Sequence, residues 1–258
     1  MLNSLPSWVI AAAIVLIMLG FTTAVSRLVR RRWANEVQDG HNEVTGLMFQ
    51  TVGVMYALLL AFVMVSTWEA TEAADAVVTQ EAATVQALYR DAVSLPEPTG
   101  SRVGALVIAY AETVIAKEWP ELAHGRGSEA ADDALDAIFP ALRSFEPRTA
   151  REEVIFAAAL GELNTATEER FARLHAAQSA LPGLFWLALI LGAMLTQVTA
   201  ALLYMRDRRV HDALSLSLAA VSGLLIFLVV ALDIPFAGDL AVSPDAFHVA
   251  LEEMRRFK

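Results

Sequence analysis

Between Gly53 and Pro96 the chain contains no glycine and no proline. Val54 to Trp68 is apolar, and Glu69 to Leu95 is amphipathic and acidic. With nothing to break the backbone hydrogen-bond ladder, both halves read as one helix that begins inside a membrane and projects out of it. At a rise of about 1.5 Å per residue, the part beyond Trp68 extends about 40 Å past the lipid. A chain organised around such a helix is an all-α membrane protein.

Trp8 to Val25, Gly46 to Trp68, Leu181 to Met205 and Ala213 to Leu232 are the apolar stretches, which predicts four spans of about 20 residues each. The first is expected to be a span and not a cleaved signal, because no basic residue stands before it in residues 1–7 and no small-x-small site follows it. Two arginine clusters orient the spans. Arg27, Arg30, Arg31 and Arg32 follow span one, and Arg206, Arg208 and Arg209 follow span three. Both occupy short loops, over about 33–45 in the first case, so the excess of positive charge assigns both to the cytoplasm. Residues 69–180 and both termini are then extracytoplasmic, and the protein is integral to the plasma membrane, the inner membrane in a bacterium. The chain divides into transmembrane residues 1–68, an extracytoplasmic domain over 69–180, transmembrane residues 181–232, and a turn with a short helix over 233–258.

Composition narrows the chemistry. There is no cysteine, so disulfides and thiolate-held metals are excluded. The net charge of −10 belongs to one segment, since residues 69–180 carry 19 of the 29 acids and 9 of the 19 bases. An acidic face argues against nucleic acid as a partner. The chain has no His-Glu-x-x-His, no phosphate-binding glycine loop and no nucleophile elbow, and its five histidines are scattered. No catalytic residue, metal site or cofactor is expected. The expected partners are membrane lipids, further copies of the chain and inorganic ions.

The acidic segment reads as a helical bundle. Its first helix continues from span two through Ala70, Ala74, Val77, Val85, Leu88, Ala92 and Leu95 to stop at Pro96. A second covers about Ser101 to Glu118 and ends near Trp119-Pro120. Ser128 is expected to cap a third, which Pro140 bends or breaks. The fourth starts with a Thr149/Glu152 capping box, carries Leu160, Leu163, Phe171 and Leu174, and runs directly into span three at Pro182. After span four, Pro235 and Gly238 force a turn around Asp233, and Ser243-Pro244 starts a terminal helix.

The run ending in Trp68-Glu69, the extension bearing Glu81, and above all Asp233-Ile-Pro-Phe-Ala-Gly-Asp-Leu-Ala-Val-Ser-Pro resemble a family of four-span proteins described as bestrophin-like. The resemblance covers most of the chain. It implies four spans with a helical insert between the second and third. Bestrophins proper are oligomeric anion channels with a hydrophobic neck and a large cytoplasmic domain. This chain differs in placing its large segment outside by charge bias, and in lacking stacked phenylalanines in span two.

Candidate site residues lie along span two and its extension. Gly46, Gln50, Gly53, Ala57 and Ala61 share one face, either as a helix-packing stripe or as the lining of a narrow pore, with Gln50 a polar contact and Tyr56 or Met64 a constriction. Glu69 sits where the helix leaves the membrane, as part of a cation-attracting vestibule or of a solvated acidic face. Glu81 falls on the apolar stripe, as a gating carboxylate or as the partner of Arg170 or Arg173. Asp233, Pro235 and Gly238 read as a structural turn. No charge lies inside a span, which argues against proton-coupled transport. The expected function is a homo-oligomeric ion channel or pore lined by span two and its extension. The alternative is a non-conducting sensor or assembly factor that binds a ligand or partner through the outer helices.

Overall fold

The computed structural model describes residues 6–33 and 41–257, so most of the expected connection over 33–45 lies outside the described residues. It is all-α, with no strand among the described residues. Residues 1–69 with 180–233 form one compact unit, and residues 70–179 with 234–258 form a second.

The first unit holds four helices long and apolar enough to cross a membrane, or their membrane-length parts. These are α1 (Ser7–Arg32), the first half of α2 (Asn42–Val93), α8 (Gly183–Ala201) and α9 (Arg208–Leu232). Their exposed surface is rich in large apolar side chains such as Leu16, Leu58, Phe62 and Leu184, as a lipid-facing surface requires. Helices α1 and α9 run antiparallel and close together. A Cβ on Gly223 would come within 3.0 Å of the Val15 backbone. On the other side a Cβ on Gly192 of α8 would meet the Tyr56 ring at 2.6 Å. Small residues thus let these helices approach closely where hydrocarbon offers no hydrophobic driving force.

Buried polar groups fix the register. The Thr22 hydroxyl donates to Gln197 Oε1 at 3.1 Å, and Gln197 Nε2 donates to the Ser222 hydroxyl at 3.4 Å, joining α1, α8 and α9. Gln197 is fully buried, and an unsatisfied amide there would be costly. Thr196 and Ser217 instead return their hydroxyls to carbonyls four residues back, as expected of such residues in spans.

The junction before span three departs from the expected continuous helix. Helix α7 (Ala150–Gln178) stops, and α8 begins only at Gly183, with Pro182 as its N-cap. Proline has no N–H for the ladder and disfavours a helical conformation at Leu181. Asp233 stabilises the break by accepting a hydrogen bond from the Leu181 N–H at 2.7 Å. It therefore ties the end of span four to the start of span three.

The second unit is a helical bundle built from α2 beyond Ala70, α3 (Thr99–Thr113), a π turn (Val114–Glu118), α4 (Trp119–Leu122), α5 (Glu129–Asp136), α6 (Ile138–Arg143), α7 and α10 (Asp245–Arg256). Its core contains Val78, Val85, Leu88, Tyr110, Leu142, Leu163, Phe247 and Met254. The inward face of α2 is carried by Ala74, Val78, Ala82 and Val85, with Ala70 exposed.

Three local expectations are corrected. The second helix does not end at Trp119-Pro120. It widens into the π turn and continues to Leu122, because the wider i→i+5 turn accommodates a proline that would break the ordinary ladder. Ser128 sits at the start of α5, but its side chain makes no capping bond. Phe171 is 75% exposed. The buried face of α7 runs Ala159, Leu163, Ala166, Arg170, Arg173 and Ala177, one residue out of phase with Phe171.

The Thr149 cap forms as expected, its hydroxyl accepting from Glu152 N at 3.2 Å. Helix α6 retains Pro140 and is separated from α5 at Ala137. Gly238 takes a left-handed φ of 87°, and the Val242 N–H donates to the Pro235 carbonyl at 2.8 Å, closing the turn that leads into α10.

Candidate functional site

Span two presents two kinds of face. Tyr56, Leu60, Val63 and Thr67 are buried among the spans of their own unit. About a quarter turn away, at helical spacing, lie Gly46, Gln50, Gly53, Ala57, Ala61, Met64 and Trp68. Gln50, Ala57 and Ala61 on this second face are exposed, and Gly53 has open space where a Cβ would stand. Among the described residues nothing packs on the Gly53 position, whereas at the two ends of the stripe Gly46 approaches Leu203 and Met64 packs against the core of its own unit. Large apolar side chains (Met55, Leu58, Phe62 and Val65) occupy the rest of the exposed surface. Trp68 is 58% exposed and Glu69 follows it in the open. Tyr56, by contrast, is buried against Gly192 and does not share the open face with Gln50.

Glu81 lies in a different setting. It is fully buried in the second unit, together with Glu118, Arg173 and, at 6% exposure, Arg170. Arg173 donates from Nε to Glu81 Oε2 at 2.5 Å and from Nη2 to Glu81 Oε1 at 3.1 Å and Glu118 Oε2 at 2.7 Å. Arg170 reaches Glu118 through Nη2 at 2.5 Å and Nε at 3.2 Å, and also pairs with the half-exposed Asp132. The Tyr110 hydroxyl donates to Glu81 Oε1 at 2.7 Å, and the Ser128 N–H donates to Glu118 Oε1 at 3.0 Å. Glu118 therefore accepts four hydrogen bonds, near the full capacity of a carboxylate. The Arg173 Nη1 atom has no hydrogen-bond partner, but its guanidinium carbon lies 5.7 Å from the centroids of both Trp119 and Phe247. Ring faces take the place of an acceptor there.

The π turn is what makes this cluster possible. It turns Glu118 inward between α3 and α4, where a regular helix followed by Pro120 would have ended. Arginines at 170 and 173 are three residues apart and share the inward face of α7. Two buried cations meet two buried anions with complementary geometry, which is the condition for such charges to be tolerated.

The electrostatics follow. Burial alone would raise the Glu118 carboxyl, but hydrogen bonds from Arg170 and Arg173 and the charge of Arg173 hold it below the ordinary glutamate value. Both arginines are held above their ordinary values although burial alone would lower them. Burial and the Glu81 charge push the Tyr110 phenol well above its usual range.

Of the arginines weighed as partners for Glu81, Arg173 is the one that pairs with it. Neither Glu118 nor Tyr110 stands out in the sequence, although the Trp-Pro step after Glu118 marks the helix irregularity that buries it. The cluster is closed: every carboxylate oxygen on Glu81 and Glu118 is engaged, and no group of histidines or acids among the described residues is arranged to hold a metal ion. It holds helices together and offers no open position to a ligand.

Acid tests this directly. A carboxyl held low in the folded state stabilises the fold above its unfolded value of about 4.5 and ceases to do so as pH falls through the lower folded value. Glu169 acts in the opposite sense, because burial raises its carboxyl. Wild type should lose bundle stability steeply below about pH 4.5, and Glu118→Gln should flatten that limb of the curve while lowering stability at neutral pH. Denaturant midpoints measured from about pH 7 to pH 3 check both statements.

A family model described as the bestrophin-like domain matches residues 12–247. No curated protein matches the chain. Among solved structures, one variant of a bacterial bestrophin homologue from Klebsiella pneumoniae superposes with a TM-score of 0.70 at 13% identity, covering 95% of this chain and 96% of that one. A second variant of the same protein gives 0.67 at 12% identity, with 95% and 98% covered. A structure described only as a membrane protein gives 0.68 at 12% identity, with 95% and 96% covered. The shared fold is thus a four-span membrane architecture over nearly the whole of both chains.

Proposed function

This chain belongs to the bestrophin-like domain family, and on that premise we propose that it forms a homo-oligomeric ion channel in the membrane. One observation carries the reading. The face of span two bearing Gln50, Gly53, Ala57 and Ala61 is small, partly polar and left open among the described residues. A lone protomer would leave that face to lipid, where the Gln50 amide gains no partner. Several copies arranged around it would enclose a narrow path lined by small residues and crossed by the Gln50 amides. Met64 lies on the same face and is the proposed constriction. Glu69 stands at the end of the span and concentrates cations at the mouth. In this reading Tyr56 supports the lining from behind by packing on Gly192, and Glu81 fixes the bundle without touching the ion.

The permeant ion is proposed to be a cation, since the lining carries no positive group and the outer segment is acidic. The bundle and both termini are proposed to be extracytoplasmic, following the two arginine clusters. Because the chain has no cysteine, single substitutions report sidedness cleanly. Ser128→Cys should react with an impermeant maleimide in intact cells and Arg208→Cys should not, and the reverse pattern would invert the orientation.

Oligomeric state tests the channel itself. The purified chain in mild detergent should run as a closed oligomer by native mass spectrometry. A stable monomer would rule out a pore built from the uncovered face, and would return the outer bundle to consideration as a ligand-binding sensor or assembly module.

A further inference from the structure

The first arginine cluster also shapes a cavity. At the polar end of the first unit, α1 and α9 part to leave a cavity of about 300 Å³. Its walls carry Arg27, Arg30 and Arg31 from α1, together with the hydroxyls of Thr23 and Ser26, and Asp212 from α9. Three guanidinium groups face one carboxylate, an excess of two positive charges in one concavity. Arg30 is already committed. It pairs with Asp212 and donates from Nε to the Ser26 carbonyl at 3.2 Å. Arg27 and Arg31 are exposed and have no carboxylate partner among the described residues. They border the cavity with their donors unspent.

We propose that this cavity binds the phosphate of an anionic phospholipid headgroup, with Arg27 and Arg31 as its ligands and the Arg30–Asp212 pair as the rigid wall behind them. Guanidinium groups suit the anion because each presents paired N–H donors to two oxygens at once. Arg30 keeps a fixed position through Asp212, so the site is preorganised on two packed helices. The lipid origin follows from what surrounds the cavity. Leu216 forms part of its wall, and large apolar side chains such as Leu28 of α1, 58% exposed, lie on the open surface of the same unit. An acyl chain attached to the bound phosphate would lie along that apolar surface. On the orientation proposed above, the cavity opens toward the cytoplasmic leaflet, whose surface is anionic and attracts basic groups between spans. This site is independent of whether the chain conducts.

The test uses the full-length chain in detergent, titrated with phosphatidylglycerol or phosphatidylcholine and read by native mass spectrometry. Phosphatidylglycerol should be retained in preference to phosphatidylcholine. Arg27→Gln/Arg31→Gln should weaken it by at least roughly tenfold more than Arg206→Gln/Arg209→Gln, which removes the same charge outside the cavity. Arg27→Lys/Arg31→Lys, which keeps the charge but not the paired donors, should fall between wild type and the glutamine pair, and decides the matter if the glutamine pair fails to fold. Inorganic phosphate and glycerol 3-phosphate at the same concentrations should not displace the lipid. Equal losses in the cavity and control pairs, no preference for phosphatidylglycerol, or wild-type affinity in the lysine pair would each overturn the site. Displacement by inorganic phosphate would overturn its assignment to a lipid.

Discussion

Arg173→Met is expected to cost the bundle about 3–5 kcal/mol, because it leaves Glu81 and Glu118 buried beside a single remaining arginine. The side chain removed is fully buried and engages both carboxylates, Trp119 and Phe247. Methionine fills much of the volume, so the loss reports on charge more than on a cavity. Glu81→Leu alone should be similarly damaging, since it strips Arg173 of its shortest contact. The double variant should lose clearly less than the sum, because the remaining Glu118–Arg170 pair is balanced. Chemical denaturation of the purified protein, monitored by far-UV circular dichroism, measures all three. Strictly additive losses would show that Glu81 and Arg173 do not act as a pair. A surface exchange such as Arg126→Gln, whose partner Glu121 is exposed, should change stability by no more than about 1 kcal/mol.

The second large effect concerns conduction. Ala57→Trp should bring ion flux down to that of empty liposomes. Ala57 is exposed on the uncovered face of span two, in line with Gln50 and Ala61. An indole at that point, repeated in every copy, would fill a narrow path. Leu16→Trp places the same side chain on the exposed surface of span one, where Leu16 is 66% exposed, and should leave flux unchanged. Equal inhibition by both would point to a general packing defect, while undiminished flux through Ala57→Trp would move the path away from this face.

The spans are legible in the sequence because each is a run of apolar residues bounded by charged residues, proline or glycine. The long α2 helix was legible because nothing in it breaks a helix. Tertiary choices were harder to read. Phe171 matched the apolar periodicity but the helix turns Arg170 and Arg173 inward instead, since Glu81 and Glu118 need cations more than the core needs another ring. The π turn cannot be seen in a period of 3.6, and with it Glu118 was missed. Pro182 reads as a tolerable kink in a hydropathy plot, yet here it ends α7, with Asp233 capping the gap. Along span two, periodicity placed Gln50, Gly53 and Ala57 together, but only the packing around them shows that their own chain leaves them uncovered.

Whether the protein conducts is decided by ion flux through the purified wild-type chain in liposomes, with potassium and chloride gradients compared and Glu69→Gln measured alongside. Potassium flux should be well above that of protein-free liposomes, chloride flux weaker, and cation preference reduced in Glu69→Gln. No flux under either gradient from a folded oligomer would contradict the proposed channel.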